Sequence, residues 1–351
     1  MPSVLVIGGG VSGLQAAADL ARLGCSVHLV EKEGSLGGRP VQAKFYRLIP
    51  DLRRASEVID PLIESVVSQE RISLSLSSRV TQVSESPEGF RSTIEGGSQG
   101  KTVMVEAILV TTGYEHFDPT LKQEYGYGIY PDVITTPQLE AMLHPEGPTG
   151  GEVRRPSNGE IPQRVALFQC VGSRDEQVGN RYCCKLGCIT STKQAIEIKE
   201  RHPEAEVYIH YMDIRTVGLG WEELYWKAQE VYRIHYLRGR GAEILPRAGR
   251  LQIRAEDTLL NRPLQREVDL VVLAVGMRPG EGTRQAARLL DLPVGAYGFL
   301  SPADSLLRPL DLPRAGVFAA GAALGPKDIE TCIAEGSAAA ARAMAFLMGK
   351  E

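Results

Sequence analysis

The stretch Val4-Leu5-Val6-Ile7-Gly8-Gly9-Gly10-Val11-Ser12-Gly13 decides the fold of this chain. The short apolar run that ends at Ile7 predicts a buried strand, and the Ala- and Leu-rich run that follows the glycines predicts a helix from Leu14 to Leu23. The pattern Gly8-x-Gly10-x-x-Gly13 between them lets the backbone turn tightly and approach a pyrophosphate. The helix N-terminus then offers N–H groups to the phosphates. The sequence therefore predicts a Rossmann-type α/β domain that binds a dinucleotide.

A carboxylate follows this loop at the distance that such a site requires. The predicted second strand, Ser26 to Val30, ends at Glu31. In dinucleotide-binding domains an acidic residue about 20 residues beyond the loop binds the ribose hydroxyls of the adenosine. We therefore predict Glu31 as a cofactor-binding residue, and we place the neighbouring Lys32 and the loop residues Val11 and Ser12 in the same site.

Composition and charge narrow the class of protein. With 351 residues, 43% of them hydrophobic and 23% charged, the chain has the make-up of a globular protein of two compact domains. A net charge of −4 gives no reason to expect nucleic acid or an anionic membrane surface as a partner. No apolar run has membrane-spanning length, and the N-terminus lacks a signal-peptide pattern. We expect a cytoplasmic protein, in which clustered cysteines indicate metal ligands or redox groups.

Further elements follow along the chain. Residues 51–70 predict an amphipathic helix and 71–110 a run of short strands. A second α/β unit opens with a strand at Arg164–Gln169, continues with one at Glu206–Tyr211 and closes with one at Asp269–Val275. The predicted organisation is a dinucleotide-binding domain made of residues 1–150 and 283–351, interrupted by a smaller α/β domain at 151–282 that contains four of the six cysteines.

Four further segments resemble those of two-domain flavoproteins, and this resemblance implies that the domain of residues 1–150 and 283–351 is an FAD-binding domain. Leu36-Gly37-Gly38-Arg39 resembles their second phosphate-contacting loop, and Val317-Phe318-Ala319-Ala320-Gly321 resembles the late strand that returns to the flavin. Val110-Thr111-Thr112-Gly113 and Ala274-Val275-Gly276 resemble their paired strand ends. In that group FAD binds the first glycine motif. The resemblance implies these further cofactor-binding residues: Gly38, Arg39, Val80, Thr112, Gly113, Gly276, Gly321, Lys327, Asp328 and Ile329.

The segment Gly325-Pro326-Lys327-Asp328-Ile329 predicts the start of the last helix, roughly 326–347, because Pro suits a first helical position. In flavoproteins of this architecture that helix points its N-terminus at the pyrimidine end of the flavin. Lys327, in the first turn, would add a full positive charge or donate a hydrogen bond to the ring. We predict Lys327 as the catalytic residue; the alternative is a solvated lysine beside an Asp328 that only complements the helix dipole.

Four of the six cysteines, Cys170, Cys183, Cys184 and Cys188, fall within nineteen positions. Four thiolates from a strand end and a following loop or helix can enclose a 4Fe–4S cluster. Zinc prefers C-x-x-C spacings, which are missing here, so zinc and plain thiols are the lesser alternatives. If the segment is helical, Cys184 and Cys188 share a face. The remaining two, Cys25 and Cys332, are expected in the core.

The inserted unit departs from the common flavoprotein pattern. Its opening strand leads into Cys170-Val171-Gly172-Ser173-Arg174-Asp175, with no second Gly-x-Gly-x-x-Gly to follow. Cysteines therefore stand where the phosphates of a nicotinamide cofactor would bind.

At this point the residues resemble a family. Phe168-Gln169-Cys170-Val171-Gly172-Ser173-Arg174-Asp175, Tyr182-Cys183-Cys184, Tyr211-Met212-Asp213-Ile214-Arg215-Thr216 and Leu237-Arg238-Gly239-Arg240 are similar to the flavin-containing, A-type subunit of heterodisulfide reductases. That resemblance implies a thioredoxin-reductase-like core with FAD and iron–sulfur clusters, which passes electrons to partner subunits. Longer members have further cysteines after the Gly-Gly-Arg loop, where this chain has Pro40 to Pro50 without one.

This compact form resembles the heterodisulfide-reductase-like subunit of sulfur-oxidising prokaryotes. The resemblance implies FAD and one 4Fe–4S cluster that exchange single electrons within a larger complex, with a homodimer of this chain expected. The main alternative is an NAD(P)H-dependent disulfide reductase, which needs a nicotinamide site and a redox cysteine pair at the flavin. A third possibility is a scaffold in which the flavin only stabilises the fold.

Overall fold

The computed structural model describes residues 1–97 and 100–349. The chain divides into two compact units. The first consists of Met1–Gln42, Ser56–Glu115 and the described part of Arg278–Glu351, and the second of Ala43–Ala55 and His116–Met277. Within the described residues no helix is both long and apolar enough to cross a membrane.

Helices and strands alternate along most of the chain. The α-helices described are α1 (Val11–Arg22), α2 (Arg39–Gln42), α3 (Ser56–Val67), α4 (Thr136–Leu143), α5 (Gly187–Arg201), α6 (Trp221–Glu230), α7 (Glu281–Leu289) and α8 (Ile329–Met348). The strands are β1 (Ser3–Ile7), β2 (Ser26–Val30), β3 (Ile72–Ser75), β4 (Ser78–Ser86), β5 (Gly89–Gly96), β6 (Lys101–Val105), β7 (Ala107–Val110), β8 (Tyr114–His116), β9 (Val133–Thr135), β10 (Arg164–Val171), β11 (Glu206–Tyr211), β12 (His235–Arg238), β13 (Gly241–Arg247), β14 (Arg250–Asp257), β15 (Arg262–Val268), β16 (Leu270–Val275), β17 (Met277–Pro279) and β18 (Val317–Ala319).

The first unit is built on a parallel sheet with strand order β18-β7-β1-β2-β3. In the central strand β1, Val4 and Val6 face one core cluster and Leu5 faces the other, because successive side chains of a strand point to opposite faces. Helices α1 and α8 cover the first face, and α7 with the antiparallel sheet β4-β5-β6 covers the second. A strand covered on both faces must be apolar throughout, which explains the run at Val4–Ile7.

The second unit repeats this plan. Its parallel sheet has the order β12-β11-β10-β16-β9, with α4, α5 and α6 on one face. The antiparallel sheet β13-β14-β15 packs on the other face through Ile244, Leu251, Ile253 and Val268. Each unit therefore consists of a parallel sheet between helices and a three-stranded antiparallel sheet.

The structure groups two segments differently from the predicted organisation. Sequence patterns extend the first domain segment to about residue 150, but β9 pairs with β16 and so adds the edge strand to the second sheet. The short segment Ala43–Ala55 also belongs to the second unit, where the Tyr46 N–H donates to Glu140 Oε1 over 3.1 Å. The antiparallel sheet β13-β14-β15 has no counterpart among the predicted elements.

Candidate functional site

The turn from β1 to α1 is tightly constrained. A Cβ atom on Gly13 would lie 1.9 Å from the Gly8 carbonyl oxygen, so only glycine fits there. Gly8 itself has φ +112°, in the region that favours glycine. The Thr111 hydroxyl, at the end of β7, donates to the Ile7 and Gly8 carbonyls over 3.0 and 2.8 Å. These contacts fix the loop against the sheet and start the helix at Val11, three residues earlier than the predicted Leu14.

Gly10 differs from its neighbours because nothing in the protein requires a glycine there. Its φ of −78° suits any residue, and the nearest heavy atom to an added Cβ is Gly38 Cα at 3.9 Å. Gly10 is also the N-cap of α1, and as a glycine it has no side chain that could cap the helix. A bare backbone at a helix N-terminus, with room beside it, is what a closely approaching phosphate needs. The residues present thus fit a dinucleotide.

Glu31 lies beside this loop at the end of β2. Its side chain is buried, Oε2 accepts from the Gly9 N–H over 2.6 Å, and Oε1 accepts from the Glu33 N–H over 2.9 Å. The carboxylate is therefore held at the glycine loop, where the sequence predicts it. Its neighbour Lys32 instead has an exposed ion pair with Glu33 at 3.5 Å.

The other predicted residues of the first unit lie on surrounding loops and strand ends. Gly38 approaches the glycine loop, and the Arg39 side chain at the start of α2 donates to the Tyr114 carbonyl over 3.3 Å. At the end of β7, Thr112 shares a hydrogen bond of 2.9 Å with Thr283, whose hydroxyl also donates to the Gly113 carbonyl over 3.1 Å.

Two predicted residues have other surroundings. Val80 lies in β4 with its side chain in the core, and its carbonyl accepts from Gln285 Nε2 over 3.3 Å. Gly276 belongs to the second unit, where an added Cβ would lie 2.9 Å from the Gly172 carbonyl oxygen. Close packing between two loops of the second unit thus accounts for the glycine at 276.

The start of α8 corrects one prediction. The helix begins at Ile329 rather than near Pro326, so Lys327 precedes the helix instead of lying in its first turn. The physical reason is Asp328, which is the N-cap and accepts from the Thr331 N–H over 2.7 Å. Lys327 is not a freely solvated lysine either, because Nζ forms an ion pair of 2.9 Å with Glu335 and donates to the Gly321 carbonyl over 3.3 Å.

Sequence reasoning missed Glu335 and misplaced Cys332. Glu335 Oε2 accepts from the Gly321 N–H over 2.9 Å as well as from Lys327. Cys332 is only partly buried, and its thiol has a hydrogen bond with the Ser12 hydroxyl of the glycine loop. Burial raises the pKa of the Cys332 thiol to about 11, so it stays protonated at neutral pH. Cys25, in contrast, is buried in the core as predicted.

The four clustered cysteines lie at the carboxyl end of β10 and along the connection to α5. Cys170 has φ +62° at a register shift in β10. Cys183 and Cys184 precede α5, and Cys188 lies in its first turn. The condition under which Cys184 and Cys188 would share a helical face is not met, because α5 begins only at Gly187. Cys170, Cys184 and Cys188 are buried and Cys183 is half-buried.

Hydrogen bonds with backbone groups hold three of these sulfur atoms. The Gly187 N–H, at the start of α5, donates to Cys184 Sγ over 3.3 Å, and the Lys185 N–H donates to Cys183 Sγ over 3.3 Å. The Cys188 thiol donates to the Asp213 carbonyl over 3.8 Å. Glycine is favoured at 187 because an added Cβ would lie 3.0 Å from Cys184 Sγ.

The four thiols differ in proton affinity. A hydrogen bond from Cys184, the Lys185 N–H and the Arg215 guanidinium together lower the pKa of Cys183 to about 5. The same hydrogen bond, with burial, raises the pKa of Cys184. Burial also raises the pKa of Cys170, and raises that of Cys188 to about 11. These shifts make Cys183 the thiol that loses its proton most readily.

Charged and polar side chains surround the cysteines. Arg174 and Arg215 both pair with Asp213, and the Arg215 contact measures 3.4 Å. Gln169 is buried next to this group, and no described residue hydrogen bonds to its side-chain amide. Across residues 1–97 and 100–349, no three or more His, Cys, Asp or Glu side chains are arranged to hold a metal ion. The thiols share one region, but these residues do not form the ligand geometry of a cluster.

Comparisons with known proteins agree with this architecture. The family described as pyridine nucleotide-disulphide oxidoreductase matches residues 2–145. An A-type iron–sulfur subunit of the CoB–CoM heterodisulfide reductase from Methanopyrus kandleri is 36% identical, over 99% of this chain and 64% of the relative. The A-type subunit of the H2:CoB–CoM heterodisulfide, ferredoxin reductase from Methanothermobacter thermautotrophicus is also 36% identical, over 97% and 63%.

Among solved structures, a thioredoxin reductase from T. acidophilum superposes with a TM-score of 0.67 at 18% identity, covering 99% of this chain and 100% of that one. The fold prediction, a thioredoxin-reductase-like α/β fold, is confirmed, and this fold supports FAD as the cofactor. Residues 2–145 therefore match the pyridine nucleotide-disulphide oxidoreductase family, within a chain whose fold is that of a thioredoxin reductase.

More particularly, the chain is homologous over nearly its whole length to the A-type subunits of heterodisulfide reductases, the family that its motifs predict. It spans less than two thirds of the length of these relatives, at 64% and 63%.

Proposed function

We propose that this protein is an electron-transfer subunit of a heterodisulfide-reductase-like complex, with FAD in the first unit and one 4Fe–4S cluster in the second. Bound FAD would supply the interconversion of two-electron and one-electron transfer. Sulfur-compound oxidation is the proposed setting, on the resemblance to the compact subunits of sulfur-oxidising prokaryotes. A cytoplasmic location and a homodimer are proposed with it.

One observation supports this proposal above the others: four cysteines lie at the end of β10, in the connection that follows it and in the first turn of α5. In the first unit the equivalent connection, from β1 to α1, is the glycine loop. The second unit has no Gly-x-Gly-x-x-Gly there, and its α5 N-terminus donates to Cys184 Sγ instead. A helix N-terminus whose first N–H already donates to a cysteine sulfur is poorly suited to bind the phosphates of NAD(P)H. We therefore propose Cys170, Cys183, Cys184 and Cys188 as the cluster ligands.

For FAD we propose a division of roles among the residues of the first unit. Gly8, Gly10 and Gly13 with Val11 and Ser12 would hold the pyrophosphate, and Glu31 the ribose of the adenosine. The remaining proposed contacts come from Lys32, Gly38, Arg39, Val80, Thr112, Gly113, Gly321, Lys327, Asp328 and Ile329. Gly276 is the weakest of the predicted cofactor-binding residues, because packing within the second unit already explains it.

The proposal includes partner subunits, because the relatives are named as subunits of larger reductases. The relative from Methanothermobacter is named as a reductase of the CoB–CoM heterodisulfide and ferredoxin. This chain spans 63% of that relative, so its own partners and substrates have to be measured.

Anaerobic purification followed by flavin, iron, acid-labile sulfide and zinc analysis tests the proposal. The expected protein contains FAD and iron with sulfide in equal amounts, close to four of each per chain, as a 4Fe–4S cluster requires. Stoichiometric zinc without iron would contradict the cluster. Rapid bleaching of the flavin by NADH or NADPH would instead favour the disulfide-reductase alternative, whereas a flavin that no redox partner reduces or reoxidises would favour a scaffold.

A further inference from the structure

A partly buried polar cluster connects the start of α8 with the glycine loop of the first unit. Glu335 is at its centre: one carboxylate oxygen, Oε2, accepts from the Gly321 N–H and from Lys327 Nζ, both over 2.9 Å. Lys327 Nζ also donates to the Gly321 carbonyl over 3.3 Å. Gly321 in turn packs on the glycine loop so closely that an added Cβ would lie 2.2 Å from Ser12 Oγ. Glu335 thus contacts two of the proposed cofactor-binding residues.

The two charges of this cluster are partly shielded from water. The Lys327 side chain is 17% exposed and the Glu335 side chain 21%. At such sites a charge acts over several ångströms with less screening than on an open surface. Removing one partner of the pair therefore leaves the field of the other charge uncompensated.

Reduction of a flavin places negative charge on its pyrimidine end, which a nearby lysine stabilises and a nearby carboxylate destabilises. Lys327 is the cation with which Glu335 forms its ion pair. The negative charge of Glu335 would therefore offset the contribution that Lys327 would make to the stability of a reduced flavin bound there.

We propose that Glu335 is a positioning residue that fixes Lys327 beside Gly321 and, through its charge, lowers the reduction potential of the flavin. The inference rests on the proposed FAD site and goes beyond it, because it assigns a role to a residue outside all the cofactor motifs. Lys327 and Glu335 would then act on the flavin potential as a pair with opposite effects, and Lys327 would not act as an isolated positive charge.

A set of charge-removing variants in the purified FAD-containing protein tests this. Glu335→Gln keeps an acceptor for the Gly321 N–H and removes the charge, so we expect full FAD occupancy and a higher flavin potential. Lys327→Met should lower the potential, and the double variant should lie between the two. Glu330→Gln removes a charge from an exposed residue of the same helix and should leave the potential unchanged.

The measurement is an equilibrium redox titration of the flavin absorbance against reference dyes. A Glu335→Gln protein with full FAD and the parental potential would overturn the inference. If Glu335→Gln does not fold, the flavin potential of Lys327→Met is compared with that of the double variant. The double variant should have the higher potential, and the same potential in both would also overturn the inference. Failure of the proposed function is separate, because it would appear as a parent protein without FAD or without iron.

Discussion

The two units use the same strand–connection–helix plan for different chemistry. In the first unit, Ile7 at the end of β1 is followed by a three-residue glycine turn to α1, and the helix N-terminus faces room beside Gly10. In the second unit, a long connection leads from Val171 to Gly187, and the first N–H of α5 donates to a cysteine sulfur. The length and residue types of one connection thus distinguish the proposed phosphate site of the first unit from the group of thiols in the second.

The units also differ in how they bury charge. The core of the first unit around β1 is apolar on both faces. The second unit buries Lys193 with Glu140 and Glu197 between α4 and α5, and Lys193 Nζ also donates to the Arg47 carbonyl over 2.9 Å. This network attaches the segment Ala43–Ala55 to the second unit. We expect the stability of this unit to depend on pH more strongly for that reason.

The largest effect is expected from Gly10→Asp, which should abolish FAD binding while the fold is retained. Asp is a favourable N-cap residue, and the protein leaves room for its Cβ, so α1 should not be destabilised. Its side chain and negative charge would stand where the pyrophosphate must contact backbone. The measurements are flavin occupancy after purification and the far-UV circular dichroism spectrum.

Gly280→Asp is the matched control for Gly10→Asp. Gly280 is the N-cap of α7 in the same unit, with φ −75°, and the nearest atom to an added Cβ is at 3.5 Å. It lies outside the proposed FAD residues, so that variant should keep full flavin. Full flavin occupancy in Gly10→Asp as well would remove the glycine loop from the cofactor site.

The next largest effect concerns the second unit. Cys184→Ala or Cys188→Ala should abolish the iron content and the broad cluster absorbance without loss of FAD, because the cysteines and the glycine loop belong to different units. Cys25→Ala, in the core of the first unit, is the control and should retain iron. Iron and acid-labile sulfide are measured per FAD. Loss of iron from the Cys25 variant would show that the ligand assignment is wrong.

Sequence patterns predict the central strands of both sheets well. Strands β1, β2 and β11 lie where the patterns place them, because each is a short and mainly apolar or aromatic run between turn residues. The segment Ala43–Ala55 has no such run, and strand β9 has only three residues. Their place in the second unit depends on partners far along the chain, namely Glu140, Lys193 and β16. No local periodicity contains that information.

The same distinction holds for the sites. The glycine loop and the cysteines are predictable because the chemistry requires particular residue types at fixed spacing. Glu335 is not, since it lies in the second turn of an Ala-rich helix and gains its role only when α8 packs beside the glycine loop. A charged residue on an otherwise small-residue helix face is the one signal that could have indicated it.

A smaller effect tests the buried charge of the second unit. No described residue hydrogen bonds to the Glu197 carboxylate, and burial raises its pKa from 4.5 to about 7, although Lys193 lies 3.6 Å away and Arg47 4.0 Å. Between those pH values the folded state binds more protons than the unfolded state, so the free energy of unfolding falls as pH rises. Glu197→Gln should remove this loss, which amounts to about 1.4 kcal/mol per pKa unit at most.

Urea unfolding at pH 5 and pH 8 measures that difference for parent and variant. Glu200→Gln is the control: Glu200 is far more exposed than Glu197, pairs with Arg47 at 2.6 Å, and should leave the pH dependence as it is in the parent. The same change between pH 5 and pH 8 in the parent and in Glu197→Gln would show that Glu197 is ionised in the folded state throughout this range.

The smallest effect is expected at the start of α8, which differs from the start of α5 in how it is capped. Asp328 caps α8 through its side chain, whereas Leu186 at the start of α5 has no side-chain hydrogen bond and Cys184 Sγ accepts from Gly187 instead. Asp328→Ala removes the acceptor for the Thr331 N–H and should lower the free energy of unfolding by about 1 kcal/mol. Asp328→Asn keeps a capping acceptor and should recover most of this loss, because Asn caps helices nearly as well.

Urea unfolding of the flavin-free proteins separates this helix effect from any contribution of Asp328 to FAD binding. Equal stability of the Ala and Asn variants would mean that the cap is not what starts α8 at Ile329.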